Sequence, residues 1–225
     1  MKKILFITTL LLFALSAISL ASPATDYSKG KVALDISLHP SADITESRPI
    51  FSLHPNGKNG NLDIGATIGL GGKFAFQYKN INIKTKDYSL GGPFLYKEEL
   101  SAKEYNILYK IDKNFSAFAG ITNAKYDLTF VNFNETLSGK GITGFQVGVI
   151  GTAEIGKNLN AYGVFGAGDK ITSYEFGIGY ELDKNTEFNL FYKDTKYKEL
   201  ELGNLSFFKI DYTVKGLGYG VTLKF

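Results

Sequence analysis

The chain predicts an all-β fold, an antiparallel up-and-down transmembrane β-barrel of ten strands. Three observations carry that expectation. Apolar and polar residues alternate along most of the chain, short Gly/Asp/Asn turns alternate with longer polar connections, and Gly216 to Phe225 read as one last strand. In that strand Leu217, Tyr219, Val221, Leu223 and Phe225 share one side, because strand side chains alternate with period two. Gly216, Gly218, Gly220, Thr222 and Lys224 share the other. A charge-free apolar face opposite a small or polar one suits lipid outside and a polar interior.

Residues 1–21 read as a secretory signal. Lys2 and Lys3 form the basic region, Ile4 to Leu15 the apolar run, and Ser19-Leu20-Ala21 a small-x-small cleavage site. The apolar run is short for a membrane-spanning helix, which needs roughly 20 residues, and no later stretch approaches that length. A membrane-spanning form of this chain is therefore a closed barrel, the only sheet that satisfies its backbone in lipid. Residues 22–30 form a polar lead-in, and 31–225 the barrel.

Ten strands are expected near 31–39, 61–70, 74–83, 102–111, 115–126, 142–155, 159–167, 171–182, 186–194 and 207–225. Eight is the alternative, should 159–182 form one long bent element. Four short turns recur: Gly71-Gly72-Lys73, Asp112-Lys113-Asn114, Gly156-Lys157-Asn158 and Asp183-Lys184-Asn185. A three-residue turn pairs residues of equal parity. Tyr180 then faces Phe188, Ala153 faces Ala161, Tyr105 faces Ile121 and Ile68 faces Phe76. The same rule brings Leu70 to Phe74, Ile111 to Phe115 and Ile155 to Leu159. All four hairpins gain a charge-free apolar face, and a slip of one residue would mix the faces. The connections at the other end are longer and more polar, near 40–60, 84–101, 129–141 and 195–206, with a short one near 168–170. Short turns at one end and long loops at the other is the asymmetry of outer-membrane barrels.

Composition narrows the function. Loss of the signal lowers the formal charge from +3 to +1, which argues against nucleic acid as a partner. With no Cys there is neither disulfide scaffold nor thiolate chemistry. With no Trp, the interfacial girdles fall to 14 Tyr and 18 Phe.

In its turns, its alternation and its end at Phe225, the chain resembles small Gram-negative outer-membrane β-barrel proteins, the porin-family, opacity and OmpA/OmpX-type class. Segments such as Gln146-Val147-Gly148-Val149-Ile150 and Phe176-Gly177-Ile178-Gly179-Tyr180 are similar to barrel strands of that class. The resemblance implies a place in the bacterial outer membrane. It also implies, as partners, membrane lipid and the barrel assembly machinery, which would read Tyr219, Val221, Leu223 and Phe225 as an assembly signal. The periplasmic domain of OmpA itself has no counterpart here. The functional expectation is a porin-like barrel with a narrow or plugged polar interior and long extracellular loops. The alternative is a surface adhesion or interaction barrel acting through those loops, with small solutes or an extracellular ligand as partner.

Catalysis is not expected. Ten strands is also the size of the omptin proteases, whose resemblance would require acids beside a His near the extracellular rim. The only histidines, His39 and His54, flank the first long loop in a repeated Ser-Leu-His-Pro. Asp35 shares the inner face with His39, but four residues of strand span about 13 Å, too far for a hydrogen bond. Two imidazoles without Cys or clustered acids make a poor metal site, so neither metal nor cofactor is expected. A lipid-cleaving site would need a Ser or Glu beside a His at the lipid-facing rim, but Ser37 points inward and Ser52 falls in a loop, so it is not expected.

The inward phase carries Asp35, Asp63, Lys79, Glu104, Lys110, Glu154, Glu175, Glu181, Glu187, Lys193 and Lys224. In a narrow barrel these form an internal ion-pair network more readily than a channel lining. Glu175 falls opposite Lys193, and Glu181 opposite Glu187. Directly opposed acids repel, so Glu181 and Glu187 need Lys224, a water-filled space or a proton. A soluble lipocalin-like barrel is the rival architecture, with its apolar face turned inward around a ligand.

Phe225→Asp puts a charge at the end of the outward face, where the cost to the folded barrel is about 0–1 kcal/mol by depth. If Phe225 belongs to an assembly signal, membrane levels should fall severalfold, more than that cost explains. Immunoblotting of membrane fractions reads this; normal levels and normal heat-modifiable gel mobility would overturn it.

Overall fold

Strands that alternate this regularly can satisfy their backbone only by pairing on both edges, and they do so here by closing into a ring. The computed structural model describes residues 26–40, 42–47, 52–53, 61–89, 92–202 and 205–225. The expected secretory signal, residues 22–25 of the lead-in and His54 lie outside the described residues.

In chain order the strands are β1 (Val32–His39), β2 (Asp43–Ser47), β3 (Ser52–Leu53), β4 (Asn61–Gly71), β5 (Phe74–Lys84), β6 (Tyr88–Ser89) and β7 (Leu95–Lys110). They continue as β8 (Phe115–Phe130), β9 (Glu135–Ser138), β10 (Ile142–Gly156), β11 (Leu159–Gly168), β12 (Ile171–Asp183), β13 (Thr186–Leu202) and β14 (Leu205–Lys224). Ten of them form the wall, in the order β1-β4-β5-β7-β8-β10-β11-β12-β13-β14, and β14 returns to β1. The eight-stranded alternative is excluded, because β11 and β12 are separate paired strands.

The registers follow the parity rule. Ile68 pairs with Phe76, Tyr105 with Ile121, Ala153 with Ala161, and Tyr180 with Phe188. Ile111 and Phe115 meet as expected through a backbone hydrogen bond of 2.9 Å. Two pairs differ. Gly71, not Leu70, pairs with Phe74, and Gly156, not Ile155, pairs with Leu159. These turns tighten by one residue and a bulge restores the phase, a usual solution for a three-residue loop. A further feature recurs at all four turns. The carbonyl of the last turn residue, Lys73, Asn114, Asn158 or Asn185, accepts the N–H of Lys110, Thr152, Glu181 or Lys224 on another strand at 2.7–2.9 Å.

The apolar face points outward, against the lipocalin-like arrangement. Tyr174, Phe176, Ile178, Tyr180 and Leu182 of β12 are all exposed. Eight residues of strand rise about 26 Å, or about 20 Å at the usual tilt, close to the apolar band of a membrane barrel. Tyr and Phe gather at its two margins. Tyr78 meets Tyr105 at the upper margin, with ring centroids 5.3 Å apart, and Phe74 meets Tyr109 at the lower, 5.1 Å apart. Above the upper margin the outward residues become Lys103, Asn123, Asp194 and Lys215.

The expected long loops are largely strand instead. β7, β8, β13 and β14 run well above the apolar band, and β2 pairs with the upper part of β14 (Asp43 opposite Lys215, Ser47 opposite Asp211). Ser52 accordingly lies in β3, paired with Ser47, and not in a loop. The lead-in also has a structural task. Tyr27 is buried in the lumen, the Gly71 N–H donates to the Tyr27 carbonyl at 3.1 Å, and the Gly30 N–H donates to the Gly69 carbonyl at 3.0 Å.

Gly69 allows this docking, since a Cβ there would lie 2.1 Å from the Ser28 carbonyl oxygen. Gly69→Ala should expel residues 26–31 at a cost of about 1–3 kcal/mol, as overpacking does elsewhere. Faster proteolysis of the N-terminal segment and a lower unfolding temperature would register it; an unchanged digestion pattern would show that the segment is not held by this approach.

Candidate functional site

The inward face builds three layers. At the lower, short-turn end Tyr27, Ala75, Leu108 and Ile150 form an apolar cluster with Phe118 and Val164. Above it lies a polar layer at the level of the apolar band. Lys193 Nζ is 3.2 Å from Asp63 Oδ2, and His39 Nε2 lies 3.3 Å from the same oxygen. The Tyr162 hydroxyl donates to Glu175 at 3.0 Å. Gln146 donates to Glu104 at 3.3 Å and to Asn106 at 2.8 Å, and Asn106 donates to Gln77. The Thr222 hydroxyl donates to Asp35 at 2.6 Å while accepting from Asn189. The inward glycines do not leave open space: Phe118 lies over Gly148, Tyr162 over Gly177 and Phe191 over Gly218. A cavity of about 70 Å³ remains, lined by Asp35, Asp63, Lys79, Glu175 and Lys193 among others, with two of about 20 Å³ nearby. That is room for a few waters.

Lumen charges at the lower rim resolve as repulsion requires. Glu181 faces Glu187 in the β12–β13 register, and Lys224 Nζ lies between them, 3.3 Å from Glu181 and 2.7 Å from Glu187. Lys193 does fall opposite Glu175 in register, but its ion pair is with Asp63, and Glu175 takes the Tyr162 hydroxyl instead.

The third layer sits above the apolar band. Leu100, Tyr126, Ile171, Tyr197, Leu200, Ile210 and Tyr212 belong to one buried cluster across the top of the lumen, where β8 and β13 meet. Two acids sit in this region, Glu46 of β2 and Glu98 of β7, both fully buried. Burial pushes the Glu98 carboxyl up to about 8, and the neighbouring Glu46 adds to the shift. The Tyr88 hydroxyl donates to Glu98. On the outer surface Glu199 behaves oppositely: the hydrogen bonds from Lys170 and Lys209 lower it to about 2.

His39 is not a free loop histidine. It is buried on β1, its ring meets Phe191 edge-on at 5.1 Å, and Asp63 of the adjacent strand is its acidic neighbour. Spacing along one strand missed this partner because it lies across a ladder. Sequence reasoning also passed over Tyr27, Glu46 and Glu98. The signal for Glu98 was parity: it shares the inward phase with Leu100, Ala102 and Glu104 beyond the expected strand start. Tyr219, Val221, Leu223 and Phe225 fall on the lipid-facing side of β14, with Tyr219, Val221 and Phe225 well exposed. Among the described residues no three His, Cys, Asp or Glu are grouped to hold a metal.

No protein-family model matches the chain, and no curated protein matches it. Solved structures do. The outer membrane protease OmpT from Escherichia coli aligns over 93% of this chain and 99% of its own, at 12% identity and a TM-score of 0.59. Neisserial surface protein A aligns over 88% of this chain and 100% of its own, at 12% identity and a TM-score of 0.45. Ail of Yersinia pestis aligns over 87% and 99%, at 9% identity and a TM-score of 0.40. At such identities the likeness to OmpT is one of fold, that of the bacterial outer-membrane β-barrels.

Lys224→Met leaves two opposed acids without their bridging cation, and breaking a buried pair in this way costs on the order of 3 kcal/mol. Thermal unfolding should show the loss, and Glu187→Gln in the same chain should restore most of it. Equal losses with and without Glu187→Gln would mean that Lys224 acts through packing alone.

Proposed function

We propose that this chain, a bacterial outer-membrane β-barrel, is a sealed barrel that carries no steady current and acts at the cell surface through the sheet above the membrane. The observation that supports this reading is closure of the lumen at two levels. Apolar side chains fill it below at Tyr27, Leu108 and Ile150 and above at Leu100, Tyr126 and Tyr212, with a cavity of about 70 Å³ between. A porin-like path for solutes would require both clusters to part. Such clusters are held by the same burial that stabilises a soluble core, about 1.5–3 kcal/mol per large side chain.

The upper rim favours contact with an extracellular ligand. Phe94 and Phe133 are 43% and 59% exposed with rings 5.6 Å apart, and Leu95 and Leu137 are exposed as well. Apolar residues gathered on a surface outside the membrane mark a place for interaction. β9 is exposed along its whole length.

Planar-bilayer recording tests the sealed reading. The wild type should be silent or flicker, and Tyr27→Ala should stay silent because the upper cluster remains. Glu181→Gln/Glu187→Gln should also stay silent. A large, stable open state in the wild type would overturn the proposal and return the barrel to the porin-like reading.

A further inference from the structure

The upper cluster buries two carboxyl groups without any stated need of the barrel for them. Glu46 lies on β2, which extends the sheet beside β14, and Glu98 on β7 of the wall, and both are completely shielded from solvent. Glu46 stands close enough to Glu98 to raise its carboxyl. Tyr88 of β6 donates to Glu98, Tyr212 of β14 lies opposite Glu46 in register, and its ring meets that of Tyr126 of β8 at 5.6 Å. The Glu98 backbone N–H is held by the Thr85 hydroxyl at 2.8 Å, which fixes the acid in place. The charged residues of the same strands, Lys97, Glu99, Lys125, Asp127, Asp43 and Asp211, lie in the opposite, outward phase. Glu98 is thus above the lipid, at a level where the outer face is charged, while its own surroundings are apolar and phenolic.

We propose that Glu46 and Glu98 are a proton-sharing latch, which ties β2 to β7 across the top of the barrel in acid and releases the upper closure as pH rises. Two neighbouring carboxyls in an apolar site resist ionising together, so the closed form keeps a proton on the pair at neutral pH. Water entering an opened top returns the Glu98 carboxyl to its ordinary range, and the proton leaves. The sign follows from that difference. The carboxyl is raised in the closed form, from 4.5 to about 8, so closure is strongest below about pH 4.5 and weakens up to about pH 8. Above that both forms have lost the proton and the dependence levels off. The latch goes beyond the sealed-barrel reading, since a barrel can be silent with or without it.

The test uses the full chain folded in detergent micelles, at pH 5 to 10. Infrared spectra should hold the carbonyl band of a protonated carboxylic acid at pH 7. That band should titrate away near pH 8 and be missing from Glu98→Gln. Hydrogen exchange is read in the tops of β7, β8 and β14, as the ratio of wild type to Glu46→Gln/Glu98→Gln at each pH, which cancels the intrinsic chemistry of exchange. The ratio should shift by roughly tenfold per pH unit between about pH 5 and 8. Amides of the lipid-facing level should not shift. Should the double variant fail to fold, Glu46→Gln or Glu98→Gln alone serves as the reference, with a smaller shift expected. A constant ratio, or a carboxylic acid band that is absent at pH 7 or identical in Glu98→Gln, overturns the latch. Neither result bears on conductance.

Discussion

Closure of the ring is the condition on which the rest depends. An amide without a partner in hydrocarbon costs several kcal/mol, so an open edge is not tolerated there. β14 therefore has to find β1, and it does so down to its last residue: the Phe225 N–H donates to the Val32 carbonyl at 2.8 Å, and the Val32 N–H to the Phe225 carbonyl at 3.2 Å. Once the ring is closed, every inward residue of one strand must meet inward residues of its neighbours. A single strand out of phase would put Glu175 or Lys193 into lipid. The four turns, with their bulges and their carbonyl links to neighbouring strands, keep that phase.

This explains why so much of the wall was legible in the sequence. Parity is a two-valued signal, and a short turn transmits it without loss, so Tyr180 opposite Phe188 and Glu181 opposite Glu187 follow from the sequence alone. What was not legible depends on distances the short turns do not fix. His39 and Asp63 sit on neighbouring strands joined by a long connection, and the ladder offset between β1 and β4 decides whether they touch. Glu46 lies on β2, outside the ten-stranded ring, and Glu98 on β7 within it. Their contact depends on how the top of the barrel folds, which no local rule describes. Tyr27 is a further case: a single aromatic in a polar segment carries no periodicity, and its place is set by the absence of a side chain at Gly69.

The interior at the membrane level is filled by pairing large with small. Tyr162 occupies the space that Gly177 lacks, and Phe191 that of Gly218. The charges between them are arranged so that each acid has a donor: Asp63 has Lys193, Glu175 has Tyr162, Asp35 has Thr222 and Glu187 has Lys224. Satisfaction of this kind matters more than any single ion pair, because a buried pair contributes little net stability while a broken one is costly. The polar layer is therefore closely packed, with room for only a few waters in its residual cavities.

Above the band the barrel changes character. The outside becomes charged, as on any soluble protein, and the inside becomes apolar, so the upper part is stabilised by burial in the ordinary way. Tyr126, Tyr197, Tyr212, Leu100, Ile171, Leu200 and Ile210 contribute on the order of 2 kcal/mol each on removal from water. The raised carboxyl of Glu98 opposes this by roughly 3 kcal/mol at neutral pH. The apolar term wins, which lets a buried acid pair persist at neutral pH in a cluster that could as easily have carried two leucines. Its cost is nevertheless large enough to change with pH over the range in which a cell surface lives. A stable structure and a proton-dependent one are compatible here because the term that holds the top together and the term that loosens it belong to different residues.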